Sequence, residues 1–302
     1  MSGLNKKLNC IMPAMLTPLH QDGSFDEKGM EKLVQHLCSK GMSTLVPLGY
    51  TGEGRAFTLP VRKEIIRVVK ESAPKGTTVI AGCMGDSTRL ILEQIEDAAD
   101  AGAEMVLVPP TDFFWLTDWE LENLFCELDQ NTALPIVIYN CNENHHFIKP
   151  EIMTRLAMKK NIVGLKQSTD IIPLHEMYDS VGKLEDFTLI SGHEFILYPA
   201  LTLGLRSFIM GAPGNITPKM CMDIKKLYLN GEYEKCRELY ERFVGFYREL
   251  YSYPYPMCMS QMKGCMEIAG LFERWMHSPV KPITNEDLKK LEKTLIKYDI
   301  EI

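Results

Sequence analysis

Lys166 is the residue of this sequence best placed to act as a nucleophile. It ends the short apolar run Ile162–Leu165, and the turn-forming residues Ser168 and Asp170 follow it. At the carboxyl end of a buried strand, a lysine is partly desolvated, which lowers its pKa and lets the neutral amine attack a carbonyl carbon. The alternative is an ordinary lysine whose ammonium reaches water or pairs with a carboxylate.

Two other candidate strand ends carry the groups that an imine-forming amine needs. Tyr139 and Asn140 follow the apolar run Pro135–Ile138, and the tyrosine phenol can both donate and accept a proton. The turn Gly49–Glu53 offers backbone N–H groups and the Thr51 hydroxyl, which suit a bound carboxylate. The alternatives are a buried tyrosine bonded to the backbone and a glycine-rich turn chosen for positive φ.

The spacing of apolar runs predicts an α/β fold, a (β/α)8 TIM barrel with a C-terminal helical extension. Amphipathic helices, the first opened by Asp26, separate eight predicted strands. The strands are Leu8–Leu16, Thr44–Leu48, Thr78–Gly82, Met105–Val108, Pro135–Asn140, Asn161–Lys166, Phe187–Gly192 and Ser207–Gly211. The rival, a doubly wound open sheet, would favour a Gly-x-Gly-x-x-Gly after the first strand, which Ile11–Pro18 lacks. In a barrel, Thr51, Glu53, Tyr139, Asn140 and Lys166 would share one mouth.

After about residue 217 the pattern contains helices only. Four segments have helical apolar spacing with no strand between them: Lys219–Leu229, Tyr233–Leu250, Met257–Phe272 and Asn285–Ile296. We therefore predict a barrel over residues 1–217 and a helical appendage over 218–302. The methionine and cysteine side chains between Met257 and Met266 are expected to pack in the core or at an interface.

Composition favours a protein that acts on small molecules in the cytoplasm. The 302 residues carry a net charge of -7, which disfavours nucleic acid as a partner, and no apolar run is long enough to cross a membrane. The nine cysteines are odd in number and form no Cys-x-x-Cys pair, as in a reduced compartment.

Several short motifs together resemble the dihydrodipicolinate synthase / N-acetylneuraminate lyase family, the pyruvate-type class I aldolases. The resemblance covers nearly the whole chain. The matching pieces are Pro13–Pro18, Gly49–Glu53, Tyr139-Asn140, Gly164–Lys166 and Ser191-Gly192.

The resemblance implies roles for individual residues. Lys166 would form an imine with the keto carbon of pyruvate or a related 2-oxo acid, and Tyr139 would relay protons. Thr51 and the backbone of Tyr50 would bind the carboxylate, and the backbone carbonyl of Ile209 would lie close to the imine. Asn140 and Gly192, which belong to the matching motifs, are further predicted substrate-binding residues. The family also implies a homotetramer, and no cofactor is expected.

The sequence departs from the synthases of this family at three places. Tyr50 stands where they have the threonine of a proton-relay triad, and Phe113-Phe114 where they lend a tyrosine to the neighbouring subunit. The segment 141–146 lacks the arginine that binds the second substrate's carboxylate, and Asn144 cannot replace its charge and bidentate geometry. A lyase or dehydratase acting on a hydroxylated 2-oxo acid is therefore favoured over the synthase itself.

Other functions stay open at this stage. Glu143, His145, His146, His193 and Glu194 suggest a metal-dependent aldolase, although their spacing lacks the helical His-x-x-x-His pattern of zinc sites, and we expect no metal. Asn142, Asn144, His145 and His193 are interpreted instead as groups that select the hydroxylated tail of the substrate. A barrel that binds a 2-oxo acid without turnover is the remaining alternative.

Overall fold

A computed structural model describes residues 3–111, 115–141, 146–252 and 257–302 of the chain. Its eight parallel strands lie in the order β1-β8-β7-β6-β5-β4-β3-β2, and a parallel bridge from Ala14 to Val46 joins β1 to β2. The strands are β1 Ile11–Pro13, β2 Thr44–Leu45, β3 Thr78–Gly82, β4 Met105–Val108, β5 Ile136–Cys141, β6 Ile162–Ser168, β7 Thr188–Ser191 and β8 Phe208–Met210. The predicted TIM barrel is confirmed.

Helices surround the strands and continue beyond them. They are α1 Gly3–Leu8, α2 Glu27–Ser39, α3 Leu59–Ser72, α4 Thr88–Asp100, α5 Asp118–Asn131, α6 Pro150–Leu156, α7 Ile171–Val181, α8 Leu197–Leu203, α9 Ala212–Ile216, α10 Pro218–Leu229, α11 Tyr233–Leu250, α12 Met257–Ile268 and α13 Asn285–Lys297. Asp26 caps α2 as predicted, since its side chain accepts a hydrogen bond from Gly29 N. In the described residues, no helix is long and apolar enough to cross a membrane.

The first predicted strand was too long at its amino end. Leu8 belongs to α1, not to β1, and its side chain is fully buried with Met12, Val46 and Ile209 in the barrel interior. The sequence pattern does not distinguish an apolar residue that fills the closed end of a barrel from the first residue of a strand. The second strand is also shorter than predicted, since it ends at Leu45. Leu48, which was expected to belong to it, has a φ of 61° that an extended strand does not allow.

Two apolar layers hold the barrel together. The inner layer fills the barrel with side chains such as Ile80, Met105 and Val137. The outer layer packs the other face of the strands against the helices. Because both faces of the sheet are covered, the strands are buried along nearly their whole length.

The helical extension covers one side of the mouth. Helix α12 contacts α9, which follows β8, and also packs on α13. Helix α10 contacts α8 and β1, as an outer helix of a barrel does. The division between residues 1–217 and 218–302 stays a prediction.

Candidate active site

A cavity of about 660 Å³ opens at the carboxyl ends of the strands. Its described lining is Tyr50, Thr51, Arg55, Tyr139, Lys166, Ser168, Gly192, His193, Glu194, Phe195, Gly211, Tyr251, Met259 and Met262. Five of the seven site residues predicted from the sequence are in this set: Lys166, Tyr139, Thr51, Tyr50 and Gly192. The volume lies in the range of cavities that enclose small organic ligands.

Lys166 and Tyr139 face each other across neighbouring strands. They are partners in the parallel register of β5 and β6, so both side chains project to the same face of the sheet. Lys166 Nζ lies 4.0 Å from the centroid of the Tyr139 ring, and the lysine is only 7% exposed. The amine is thus held beside a phenol and largely out of water.

Gly192 is required because the backbone passes very close to Lys166. A β-carbon at this position would collide with Ser168 Oγ and lie 2.6 Å from Lys166 Cε. Any larger residue would displace the lysine side chain. The glycine therefore keeps open the space beside the amine, which a substrate carbonyl needs.

The Tyr139 phenol remains protonated over the physiological pH range. Burial raises its pKa well above 10, the charge that would form on Cys141 acts in the same direction, and the nearby Ser168 hydroxyl opposes them. The Tyr50 ring lies 5.4 Å away, centroid to centroid, tilted by 52°. Tyr139 can consequently donate a proton within the cavity.

The turn after β2 presents Thr51 to the cavity and is tightly held. Gly52 O accepts a hydrogen bond of 2.7 Å from Thr17 Oγ1, and Gly52 N donates to Gly49 O at 3.1 Å. A β-carbon added at Gly211 would lie 3.3 Å from Thr51 Oγ1. The Thr51 hydroxyl therefore faces the backbone after β8, across the mouth.

Glu53 does not line the cavity, contrary to its expected place at the mouth. Its φ is 53°, and its carboxylate bonds instead to Lys263 and His277 of the extension. Its carboxylate is thus held against the extension and not in the cavity.

Asn140 and Ile209 also lie outside the cavity lining. The Asn140 amide donates to Ile148 O and Gln167 Oε1, both at 3.0 Å, and its carbonyl oxygen accepts from Ile148 N. Its side chain is thus committed to holding the segment after β5. The Ile209 side chain packs in the barrel interior, so its role through a backbone carbonyl stays a prediction.

Several cavity residues were not singled out from the sequence as lining this site. Met259 and Met262 come from α12, and Tyr251 from the end of α11. Helical spacing of methionines looks the same in a core and in a cavity wall, so no sequence signal separated the two. Arg55 follows the Gly49–Glu53 motif, and this proximity was the available signal for it.

The cavity has one polar side with an unmatched hydrogen-bonding atom. Within the described part of the chain, His193 Nδ1 is buried without a hydrogen-bond partner, and the Ser168 hydroxyl interacts with the Tyr139 phenol. Glu194 Oε1 accepts from Gly211 N at 3.0 Å and from the Tyr251 hydroxyl at 3.5 Å. Buried polar atoms need partners, so a ligand with hydroxyl groups suits this side.

The metal hypothesis gains no support from the residues that the structure describes. Over residues 3–111, 115–141, 146–252 and 257–302, no group of three or more His, Cys, Asp or Glu side chains is arranged to hold a metal ion. His146 accepts from Leu116 N at 3.1 Å and so joins two loops. The predicted positions Phe113, Phe114, Asn142, Glu143, Asn144 and His145 lie outside the described residues.

Comparisons with known proteins agree on one family. The model of the dihydrodipicolinate synthetase family matches residues 7–298. The 4-hydroxy-tetrahydrodipicolinate synthase of Chelativorans sp. (strain BNC1) is 31% identical over 286 residues, which are 92% of this chain and 94% of the relative.

Solved structures show the same fold at lower identity. A prophage protein of E. coli K12, which belongs to the dihydrodipicolinic acid synthase family and was solved in complex with pyruvate, is 24% identical with a TM-score of 0.90, covering 97% of this chain and 99% of that one. The N-acetylneuraminate lyase of Mycoplasma synoviae is 21% identical with a TM-score of 0.86, covering 97% and 98%.

Proposed function

Because the chain belongs to the dihydrodipicolinate synthetase family and is a pyruvate-type lyase, we propose that Lys166 forms a Schiff base with a hydroxylated 2-oxo acid. The observation that carries the proposal is the pair of Lys166 and Tyr139. The buried amine lies 4.0 Å from the phenol ring, inside a cavity with room for more than pyruvate.

The proposed reaction begins with binding of the substrate's carboxylate. The Thr51 hydroxyl and the N–H groups of the Gly49–Glu53 turn would hold it, and the neutral Lys166 amine would attack the keto carbon. Water leaves as the imine forms, with Tyr139 giving the departing oxygen its proton and later recovering it. The positive imine then accepts the electron pair of the bond that breaks next.

Two bond cleavages fit this site. In aldol cleavage, a base takes the proton of the substrate's C4 hydroxyl, the C3–C4 bond breaks, and an aldehyde leaves an enamine on Lys166. In dehydration, C3 loses a proton and the C4 hydroxyl leaves as water after accepting one. After aldol cleavage, the enamine takes a proton at C3 and becomes an imine. Hydrolysis of the imine then returns the free amine in both cases.

The lining of the cavity supports a substrate with a tail longer than that of pyruvate. His193 supplies an unmatched polar atom, and Glu194 supplies a carboxylate that accepts hydrogen bonds from hydroxyl groups. Met259 and Met262 form an apolar wall of the same cavity. We therefore propose that the tail carries hydroxyl groups toward Glu194 and His193.

Synthase activity proper is the second candidate. It is favoured by the Chelativorans relative, which is a 4-hydroxy-tetrahydrodipicolinate synthase. The segment 141–146 lacks the arginine expected for the second carboxylate, which argues against it. A metal-dependent aldolase and a binding protein without turnover are further alternatives.

We also propose a cytoplasmic homotetramer that acts on small molecules. The family resemblance supports the assembly, and so do Trp115 and Trp119, two large side chains that are 81% and 71% exposed before and within α5.

The test is a substrate panel with two readouts. Hydroxylated 2-oxo acids of increasing tail length are assayed for release of pyruvate, and for loss of the elements of water by mass spectrometry, with and without EDTA. We expect turnover of a hydroxylated acid that EDTA does not affect. Loss of activity with EDTA would favour a metal-dependent aldolase, and faster condensation of pyruvate with aspartate semialdehyde would favour the synthase.

A further inference from the structure

A buried carboxylate joins the turn that presents Thr51 to the helical extension. Glu53 is the last residue of the Gly49–Glu53 turn, and its side chain is 8% exposed. Its φ of 53° puts it in the left-handed region, which costs energy for a residue with a β-carbon. Such a conformation persists when surrounding contacts hold it in place.

Residues of the extension donate hydrogen bonds to this carboxylate. Lys263 Nζ bonds to Oε1 at 2.5 Å, and Oε2 accepts from His277 N at 3.0 Å and contacts His277 Nδ1 at 3.1 Å. Lys263 has a fully buried side chain and gives a second hydrogen bond, of 2.7 Å, to Trp275 O. Both carboxylate oxygens are therefore engaged by residues at least 210 positions away in the chain.

The helix that carries Lys263 also forms the apolar wall of the cavity. Met259, Met262 and Lys263 lie at positions i, i+3 and i+4 of α12, which share one helical face. Met259 and Met262 line the cavity, while Lys263 reaches Glu53. One helical face thus contacts both the cavity and the base of the turn.

We propose that Glu53 and Lys263 are positioning residues, whose ion pair fixes the carboxylate-binding turn against the apolar wall of the cavity. The inference rests on the proposed function in one respect, namely that the turn binds the carboxylate of the 2-oxo acid. The ion pair makes the extension part of the active site without touching the substrate.

Breaking a buried ion pair and replacing both of its partners have different effects on stability. Removing one partner leaves an uncompensated buried charge, whereas replacing both by neutral groups is often nearly neutral for folding. The loss of positioning should therefore persist in a double variant even where folding recovers. This difference separates a positioning role from a merely structural one.

The variants are Lys263→Met, Glu53→Gln and the double variant, compared with wild type. Glu267→Gln is the matched control, because Glu267 forms its ion pair with Arg274, which also belongs to the extension. Three quantities are measured: the melting temperature, hydrogen exchange of residues 49–57, and the pyruvate concentration that half-saturates borohydride trapping at Lys166.

For the single variants and the double variant, we expect faster exchange of residues 49–57 and a half-saturating pyruvate concentration about tenfold to a hundredfold higher. The double variant should melt at a higher temperature than Lys263→Met. Glu267→Gln should lower the melting temperature without either of the other effects.

Unchanged half-saturation and unchanged exchange in all three variants would overturn the proposal. So would recovery of wild-type half-saturation in the double variant, because the effect would then come from the lone charge. If wild-type protein traps no pyruvate, the proposed function fails instead. Hydrogen exchange then tests the ion pair alone, and unchanged exchange of residues 49–57 would overturn its positioning role.

Discussion

Replacing Tyr139 by phenylalanine should remove the proton relay and little else. The ring that lies 4.0 Å from Lys166 Nζ is retained, so the packing of the lysine against the ring survives. The lysine should keep its position, and the fold should lose about 1 kcal/mol or less with the hydroxyl.

The expected loss is in the rate of the chemical steps. A positioned general acid–base group contributes about 10²–10⁴-fold, which is roughly 2.7–5.4 kcal/mol of transition-state stabilisation at 1.36 kcal/mol per tenfold. We expect kcat/KM to fall by this factor. Because burial raises the pKa of Tyr139 well above 10, its phenol keeps its proton below pH 10. Any loss of activity between pH 8 and 10 should therefore appear in wild type and variant alike.

The assay is steady-state turnover of the best substrate from the panel, together with the rate of borohydride trapping of pyruvate. Tyr247→Phe is the matched control, because that fully buried phenol hydrogen-bonds to Thr217 Oγ1 at 2.7 Å and neither residue lines the cavity. It should change kcat/KM less than about threefold. A Tyr139→Phe variant that stays within tenfold of wild type in both assays would refute the role of the phenol.

Three further predictions concern the fold and the cavity. Burial raises the pKa of Cys83 and Tyr240 to about 12 from ordinary values of 9.0 and 10.0. Above pH 9 the folded state therefore binds more protons than the unfolded state. The contribution of these groups to the free energy of unfolding is complete below pH 9 and should fall as the pH rises toward 12, by about 1.4 kcal/mol per pH unit and group. Urea midpoints at pH 8 and 10.5 measure this, and equal midpoints would contradict it. Leu8→Ala changes a fully buried residue and should lower the free energy of unfolding in urea by about 2–5 kcal/mol. Met158→Ala changes a residue that is 76% exposed and should leave the urea midpoint unchanged. Equal effects of the two changes would mean that Leu8 does not fill the closed end of the barrel. Met262→Ala should raise KM for a long-tailed substrate about tenfold, while the pyruvate concentration that half-saturates borohydride trapping should change less than twofold. Equal changes in the two quantities would argue against an apolar wall that contacts the tail.

The part of the site that lies on strand ends could be predicted from the sequence. Buried parallel strands appear as short apolar runs, and the residues that follow them meet at one mouth. Tyr139 and Lys166 were placed together on that basis, and the register of β5 and β6 pairs them. Gly192 next to Lys166 follows from the same rule.

Contacts made across long stretches of sequence could not be predicted. Glu53 follows a strand, yet its left-handed backbone turns its carboxylate toward Lys263, 210 residues away. Leu8 extends an apolar run but fills the closed end of the barrel from a helix. Met259 and Met262 have the spacing of any buried helical face. In each case tertiary packing, which the local pattern does not encode, decides where the side chain lies.

The measurement that tests the central claim most directly is borohydride reduction in the presence of pyruvate, followed by intact mass and peptide mapping. Reduction of an imine with pyruvate fixes the three-carbon unit on the lysine that formed it. We predict a single adduct on the peptide that contains Lys166, and none in Lys166→Ala. Wild-type protein that gains no mass with pyruvate or with longer 2-oxo acids, or an adduct that persists in Lys166→Ala, would contradict the claim that Lys166 is the nucleophile.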